Sequence, residues 1–89
     1  MAMLVHQLST ALVLGDQVYR AEVWGDRRDD GLWDGWIEFV PVDNGPVLST
    51  GRETSQSNLD ALAYWATGLE PVYLDGALAR ATEKSRYAA

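Results

Sequence analysis

Hydrophobic and polar residues alternate along the first half of the chain, which is typical of β-strands with one buried face. Within residues 17–24, the apolar Ala21 and Val23 fall on one face, and the charged Glu22 between them falls on the other. Residues 33–42 repeat this alternation. Both segments therefore predict half-buried antiparallel strands.

A turn that contains glycine separates two apolar runs near the N-terminus. Residues 11–14 and 17–24 are β-prone, and only Gly15 and Asp16 lie between them. Glycine adopts the positive φ that tight two-residue turns require, so this link predicts a hairpin. With the next strand and a short one after it, the front half predicts an antiparallel meander of three or four strands within about residues 11–50.

The hydrophobic period changes from two residues to between three and four after Gly51, which indicates helices. We predict one helix over about residues 57–67, with Ser57 as its N-cap. A second helix is predicted over about residues 71–83, with Pro71 in its first turn. The fold expected from this order is α+β, with both helices packed on one face of the sheet.

Composition limits the chemistry that this chain can perform. Its 89 residues predict a single domain, residues 1–89, and they include no cysteine and one histidine, His6. That composition excludes disulfides, thiolate catalysis and a Cys/His zinc site, and it excludes any Ser-His triad not centred on His6. We therefore expect a protein that is not an enzyme and that uses no cofactor or metal.

The net charge of -6 argues against nucleic acids as partners. Residues 1–50 hold eight acids and three arginines, and no cluster of cations is available to neutralise phosphates. The chain also lacks a run of about 20 apolar residues that could span a membrane. We expect a cytoplasmic protein that binds neither nucleic acid nor membrane, and a basic partner protein is compatible with the charge.

Four tryptophans are the outlier in this composition. Because tryptophan is enriched at the energetic centres of interfaces, a protein contact is predicted at Trp24, Trp33, Trp36 and Glu38. The predicted strands are partly apolar on both faces, and two helices can cover only one of them. The other face then has to be covered by the N-terminal segment or by a second subunit, and we expect a homodimer.

Two further groups of polar residues suggest other chemistry. Residues 50–58 are densely polar and precede a helix, so Arg52, Thr54 and Ser57 form a candidate anion-binding site. The alternative is a capped turn with no ligand. Glu22 and Glu38 lie on neighbouring predicted strands and could perform acid–base chemistry if they met on one sheet face, although such pairs arise by chance in a chain with 13 acids.

Two motifs resemble a small bacterial family whose function is unknown. They are DGLWDGWIEF at residues 30–39 and TGRETSQ at residues 50–56, the latter leading to YWATGL at residues 64–69. This similarity would cover most of residues 18–81, and it implies no activity.

The layout is also similar to that of the HicB-like antitoxin domain. That pattern has an aromatic strand ending in a Phe-Pro-like pair, a turn with glycine, a short strand and Thr-x-Gly-x-Thr before a helix. The corresponding parts here are residues 36–41, Asn44 and Gly45, residues 47–49 and residues 51–54. The sequence departs from the pattern at Arg52 and Gln56. The resemblance implies a protein that binds and blocks a small toxic ribonuclease, often as an oligomer.

Together these observations predict a small non-enzymatic module that binds another protein through a tryptophan-rich sheet, as a homodimer. The alternatives are a small-ligand or anion-binding protein that uses Arg52 and the helix start at Ser57, and a HicB-like antitoxin.

Overall fold

The computed structural model describes residues 1–88, which form five strands followed by two helices. The elements are β1 (Met3–Leu14), β2 (Gln17–Arg27), β3 (Trp33–Pro41), β4 (Leu48–Ser49), β5 (Thr54–Gln56), α1 (Leu59–Thr67) and α2 (Pro71–Ala88). Strands β1 to β4 follow one another across an antiparallel sheet, and β5 also pairs with β3. The predicted α+β class is confirmed.

The hairpin between β1 and β2 forms where the sequence predicts it. Leu14 pairs with Gln17, so only Gly15 and Asp16 remain in the turn. Gly15 has a φ of 63°, in the left-handed region that favours glycine. This short link fixes the register of the two longest strands.

β1 is longer than predicted, because it begins at Met3 and not near residue 11. Its pairing with β2 shifts register twice, between Leu4 and His6 and again between Gln7 and Ala11. Each shift inserts extra residues on β1, which breaks the two-residue alternation of side chains. The alternation that reveals β2 and β3 is therefore lost in the first half of β1.

β5 lies in the polar segment for which no strand is predicted. It pairs Ser55 with Asp34 of β3, and its three residues show no hydrophobic pattern. A strand this short forms because a partner strand is already in place, and the sequence gives no local signal for it.

Both helices differ from prediction at one end. The N-cap of α1 is Asn58 and not Ser57, because the Asn58 side-chain oxygen accepts a hydrogen bond of 2.8 Å from the backbone N–H of Ala61. The α2 helix continues to Ala88, beyond the predicted end near residue 83. Three of the five added residues, Lys84, Arg86 and Ala88, have high helix propensity, which favours this extension.

The core lies between one face of the sheet and the two helices. The strands contribute Leu12, Ala21, Val23, Ile37, Phe39 and Leu48, and the helices contribute Leu62, Ala66, Leu74, Ala77, Leu78 and Ala81. All are buried, and Ile37, Phe39 and Leu62 are fully inaccessible. The helices therefore pack on a single face of the sheet, as predicted.

Two glycines, one on β2 and one on β3, allow α1 to pack closely against this face. Gly25 lies opposite Gly35, and the end of the buried Leu62 side chain occupies the space above both. A Cβ at Gly25 would lie 2.6 Å from Leu62 Cδ2, and one at Gly35 would lie 2.5 Å from Leu62 Cδ1. The missing side chains thus permit a close approach between helix and sheet.

Candidate functional site

The sheet face that points away from both helices carries a pattern of acids and tryptophans, and we call it the outer face. Its central residues are Val18, Arg20, Glu22, Trp24 and Asp26 of β2 and Asp34, Trp36, Glu38 and Val40 of β3. These residues share one face because side chains alternate along a strand, and their neighbours Ala21, Val23, Ile37 and Phe39 are buried on the other.

The centre of the outer face holds two matching pairs across β2 and β3. Glu22 lies opposite Glu38, and Trp24 lies opposite Trp36. Each indole N–H donates to a glutamate on its own strand: Trp24 to Glu22, two residues earlier, and Trp36 to Glu38, two residues later. The distance is 3.1 Å from Trp24 Nε1 to Glu22 Oε1, and also 3.1 Å from Trp36 Nε1 to Glu38 Oε2. All four side chains are half-buried, so each indole holds one carboxylate in a fixed position.

The two glutamates face each other without a cation. Like charges directly opposite on neighbouring strands destabilise a sheet. The remaining donor to this pair is also neutral, the Gln7 amide, whose Nε2 lies 3.2 Å from Glu22 Oε2. Within residues 1–88, no arginine, lysine or histidine nitrogen lies within 4 Å of either carboxylate. The structure thus retains two adjacent negative charges whose repulsion a positive ligand would relieve.

The two aspartates of the outer face are different, because each has a cation nearby. Asp26 Oδ1 lies 2.9 Å from the N-terminal amine of Met1. Asp34 Oδ1 lies 3.6 Å from Arg28 Nη1 and 4.0 Å from Arg52 Nη1. The unmatched negative charge on this face is therefore concentrated at the two glutamates.

Trp33 does not join the other predicted contact residues. It occupies an odd-numbered position of β3, on the same face as Ile37, and packs against the core cluster. Trp36 and Glu38 occupy even-numbered positions and lie on the outer face. Of the predicted contact residues, the structure brings together Trp24, Trp36 and Glu38. The sequence could have separated Trp33 from Trp36 and Glu38, because odd and even positions of one strand face opposite sides of the sheet.

The residues predicted to bind an anion have partners within the chain or lie at the surface. Arg52 is exposed and is close to the Asp34 carboxylate. Thr54 Oγ1 lies 2.7 Å from Gln56 Nε2, which donates to it. Ser57 is exposed and precedes the true N-cap, Asn58. An anion site at these residues stays a prediction.

A polar cluster that sequence analysis missed joins the loop before β5 to α2. The Tyr73 hydroxyl donates to Glu53 Oε1 over 2.6 Å, and Arg80 Nη2 donates to the same oxygen. Burial raises the pKa of Tyr73 to about 12, and the adjacent Glu53 carboxylate adds to this increase. The Arg80 guanidinium also lies 5.6 Å from the centre of the Tyr73 ring. These contacts anchor the loop, and no motif links residues so far apart in sequence.

Two absences apply to the described part of the chain. Residues 1–88 contain no group of three histidine, cysteine, aspartate or glutamate side chains arranged to hold a metal ion. Over the same residues, neither helix combines the length and the apolar character needed to cross a membrane.

The chain matches no protein-family profile, and neither the curated proteins nor the solved structures provide a significant match. The resemblance to HicB-like antitoxins therefore stays a prediction.

Proposed function

We propose that this protein is a non-enzymatic module that binds a positively charged segment of another protein through its outer face. The observation that carries the proposal is the pair formed by Glu22 and Glu38. The two carboxylates lie opposite each other and are held by indole N–H groups, and within residues 1–88 no arginine, lysine or histidine nitrogen lies within 4 Å of either one. A positive group placed between them would convert a repulsive arrangement into an attractive one.

The tryptophans suit the same partner. An arginine guanidinium can form two parallel hydrogen bonds with a carboxylate while its planar face stacks on an aromatic ring. A cation over an indole contributes about 0.5–2 kcal/mol, depending on how well water is excluded. Trp24 and Trp36 lie directly beside the two glutamates, so one arginine or lysine side chain could contact an indole and a carboxylate together.

The charge of the outer face argues against its use for self-association. Two copies that met through it would bring Glu22 and Glu38 of one copy against the outer face of the other, where the same two glutamates have no salt-bridge partner within residues 1–88. We therefore assign the predicted homodimer to a different surface and propose a different, basic protein as the occupant of the outer face. A small basic ribonuclease, the partner that the HicB-like resemblance implies, would have the required charge.

The test is a comparison of binding by charge and aromatic variants of the full chain. A tagged chain captures a partner from cell extract, and calorimetry then measures the affinity of the purified partner for each variant. We expect Glu38→Gln and Trp36→Ala each to weaken binding about tenfold or more, because each removes about 1.4 kcal/mol or more of interaction. Affinity of the unmodified chain should also fall steeply with added salt.

The matched control is Glu83→Gln, which removes the same charge from an exposed position on α2. It should change the affinity less than twofold, and all variants should keep the far-ultraviolet circular dichroism of the original chain. The proposal is wrong if Glu38→Gln behaves like Glu83→Gln, or if the captured partner presents an acidic surface.

A further inference from the structure

β1 is an edge strand whose outer side has no partner within residues 1–88. It pairs with β2 on one side, and no strand pairs with it on the other. The opposite edge of the sheet is formed by β4 and β5, which have only two and three residues. By contrast, β1 has 12 residues. A long free edge presents a row of backbone N–H and C=O groups that can bind a further strand.

The hydrogen-bond pattern shows which residues of β1 present these groups. The backbone N–H of Val42 donates to the backbone C=O of Val18 over 2.8 Å, so the polar groups of Val18 are directed toward β3. In an antiparallel pair, its partner Val13 then directs its own N–H and C=O away from β2, toward the free edge. The same alternation applies to the other β1 residues whose partners on β2 have even numbers, namely Leu4, Gln7 and Ala11.

The side chains of β1 do not protect this edge. Proteins commonly guard free edges with lysine, other charges or proline, but β1 contains no proline and no lysine, arginine, aspartate or glutamate. Apolar side chains are exposed at both of its ends, with relative accessibilities of 41% for Met3, 39% for Leu4, 64% for Val13 and 42% for Leu14. In a chain with 13 acids, this strand is a long uncharged stretch of surface.

We propose that two copies of the chain form a dimer by antiparallel pairing of their β1 strands. A two-fold dimer uses the same residues from both copies, so two like strands run in opposite directions at its axis. We place the axis near Ser9, within the irregular segment between Gln7 and Ala11, so that this segment of one copy faces the same segment of the other. Leu4 then lies opposite Val13 of the second copy, and Gln7 lies opposite its Ala11. The bulge next to Leu4 makes this register consistent, because it inserts one extra residue between the two pairs.

This register gives hydrogen-bond partners to the backbone groups of the free edge and covers the apolar side chains at its ends. Four pairs of residues, each with two backbone hydrogen bonds, make about eight bonds between the copies. Exposed Leu4 of each copy contacts exposed Val13 of the other. No acid lies on β1, so the pairing brings no like charges together, whereas pairing through the outer face would. The two sheets become continuous, with both outer faces on the same side and open to partners.

The test combines molecular mass with paired substitutions in the full chain. Sedimentation equilibrium should give twice the 9.8 kDa chain mass at micromolar concentrations. We expect Leu4→Glu and Val13→Lys each to weaken the dimer at least tenfold, because each places one charge against an apolar side chain. The double variant should recover dimerisation, since each glutamate then lies opposite a lysine of the other copy.

Two controls separate this surface from general effects of charge or folding. Val72→Lys makes the same change at a position on α2 that is 77% exposed, and it should leave the dimer unchanged. In the unmodified chain, hydrogen exchange at the Val13 and Ala11 amides should be slower in concentrated than in dilute protein, a readout that needs no substitution.

The proposal is overturned if the protein has the mass of one chain at all concentrations. It is overturned equally if β1 pairs with an extended segment of another protein and not with a second copy of itself. Equal weakening by Val13→Lys and Val72→Lys, or no recovery in the double variant while each single variant stays folded, would overturn it as well. Glu38→Gln should not change the mass, so this result is independent of the proposed binding by the outer face.

Discussion

The close approach of α1 to the sheet at Gly35 yields a quantitative prediction for Gly35→Ala. The new methyl carbon would lie 2.5 Å from Leu62 Cδ1 and 3.1 Å from Thr54 Cγ2, whereas carbon atoms in good contact are about 3.5–4.0 Å apart. Leu62 is fully buried, so its side chain cannot turn into solvent to make room. The helix or the strand must therefore move by about 1 Å.

The cost of this overpacking can be set against the benefit of replacing glycine. Inserting a methyl group into a packed core costs about 1–3 kcal/mol. Alanine in place of a strand glycine returns about 0.5–1 kcal/mol, because the unfolded chain loses less conformational freedom on folding. The contact of 2.5 Å with the fully buried Leu62 corresponds to the upper part of this cost, about 2–3 kcal/mol, so we expect Gly35→Ala to lower the free energy of unfolding by about 1–2.5 kcal/mol.

Leu62→Ala supplies the second half of the test. Alone it should lower the free energy of unfolding by about 2–5 kcal/mol, because it leaves a cavity under α1. The alanine methyl at position 35 would then point into that cavity. The loss in the double variant should therefore be smaller than the sum of the single losses, by at least about 0.5 kcal/mol.

Urea unfolding, followed by tryptophan fluorescence and circular dichroism, gives all of these values. The control is Gly51→Ala, because a Cβ at Gly51 meets no atom within 4 Å and its φ is not positive. This control should stay within about 0.5 kcal/mol of the original chain. Additive losses in the double variant, or a Gly35→Ala protein as stable as the Gly51→Ala protein, would refute this account of the packing.

Three further predictions concern single side chains. The raised pKa of Tyr73, about 12 in the folded protein, lies above its unfolded value near 10, so its contribution is complete below pH 10 and is lost as the pH rises toward 12. Tyr73 is 37% exposed, so solvent screening limits this contribution to about 1 kcal/mol. The difference in unfolding free energy between the original chain and Tyr73→Phe should therefore disappear as the pH rises from 10 to 12. Absorbance at 295 nm follows the titration of the tyrosine. Thr50→Val should cost about 1–3 kcal/mol by urea unfolding, because the hydroxyl of Thr50, a residue only 3% exposed, accepts the Ile37 N–H over 3.0 Å. Asn58→Ala should cost about 1 kcal/mol by thermal unfolding and Ser57→Ala much less, and equal costs would contradict the assignment of the cap.

The alternation of residue types was sufficient to separate the two faces of each central strand. Side chains in a strand point alternately to opposite faces whatever surrounds them, so Ala21 and Val23 could be put on one face and Glu22 on the other. The sequence left both faces partly apolar, and the packing of the helices decided that Ala21, Val23, Ile37 and Phe39 lie on the buried one. Parity also places Trp33 on the same face as Ile37, although grouping by residue type had put Trp33 with the other tryptophans.

Other features depend on neighbours that are distant in sequence. β5 forms because β3 offers it a partner, and the bulges of β1 hide its pattern in the sequence. Glu53, Tyr73 and Arg80 meet only after the loop folds against α2. No local preference of these residues predicts such contacts, because the stabilising groups come from other elements.

The sequence is therefore enough to predict the fold class, to divide each central strand into two faces and to exclude most catalytic chemistry. The folded structure adds which face is buried, the register that sets Glu22 against Glu38 and Gly25 against Gly35, and the position of β1 at an edge. The physical reason is that alternation fixes the face on which a side chain lies. The residue opposite it is fixed only when two strands meet, through backbone hydrogen bonds and the length of the chain between them.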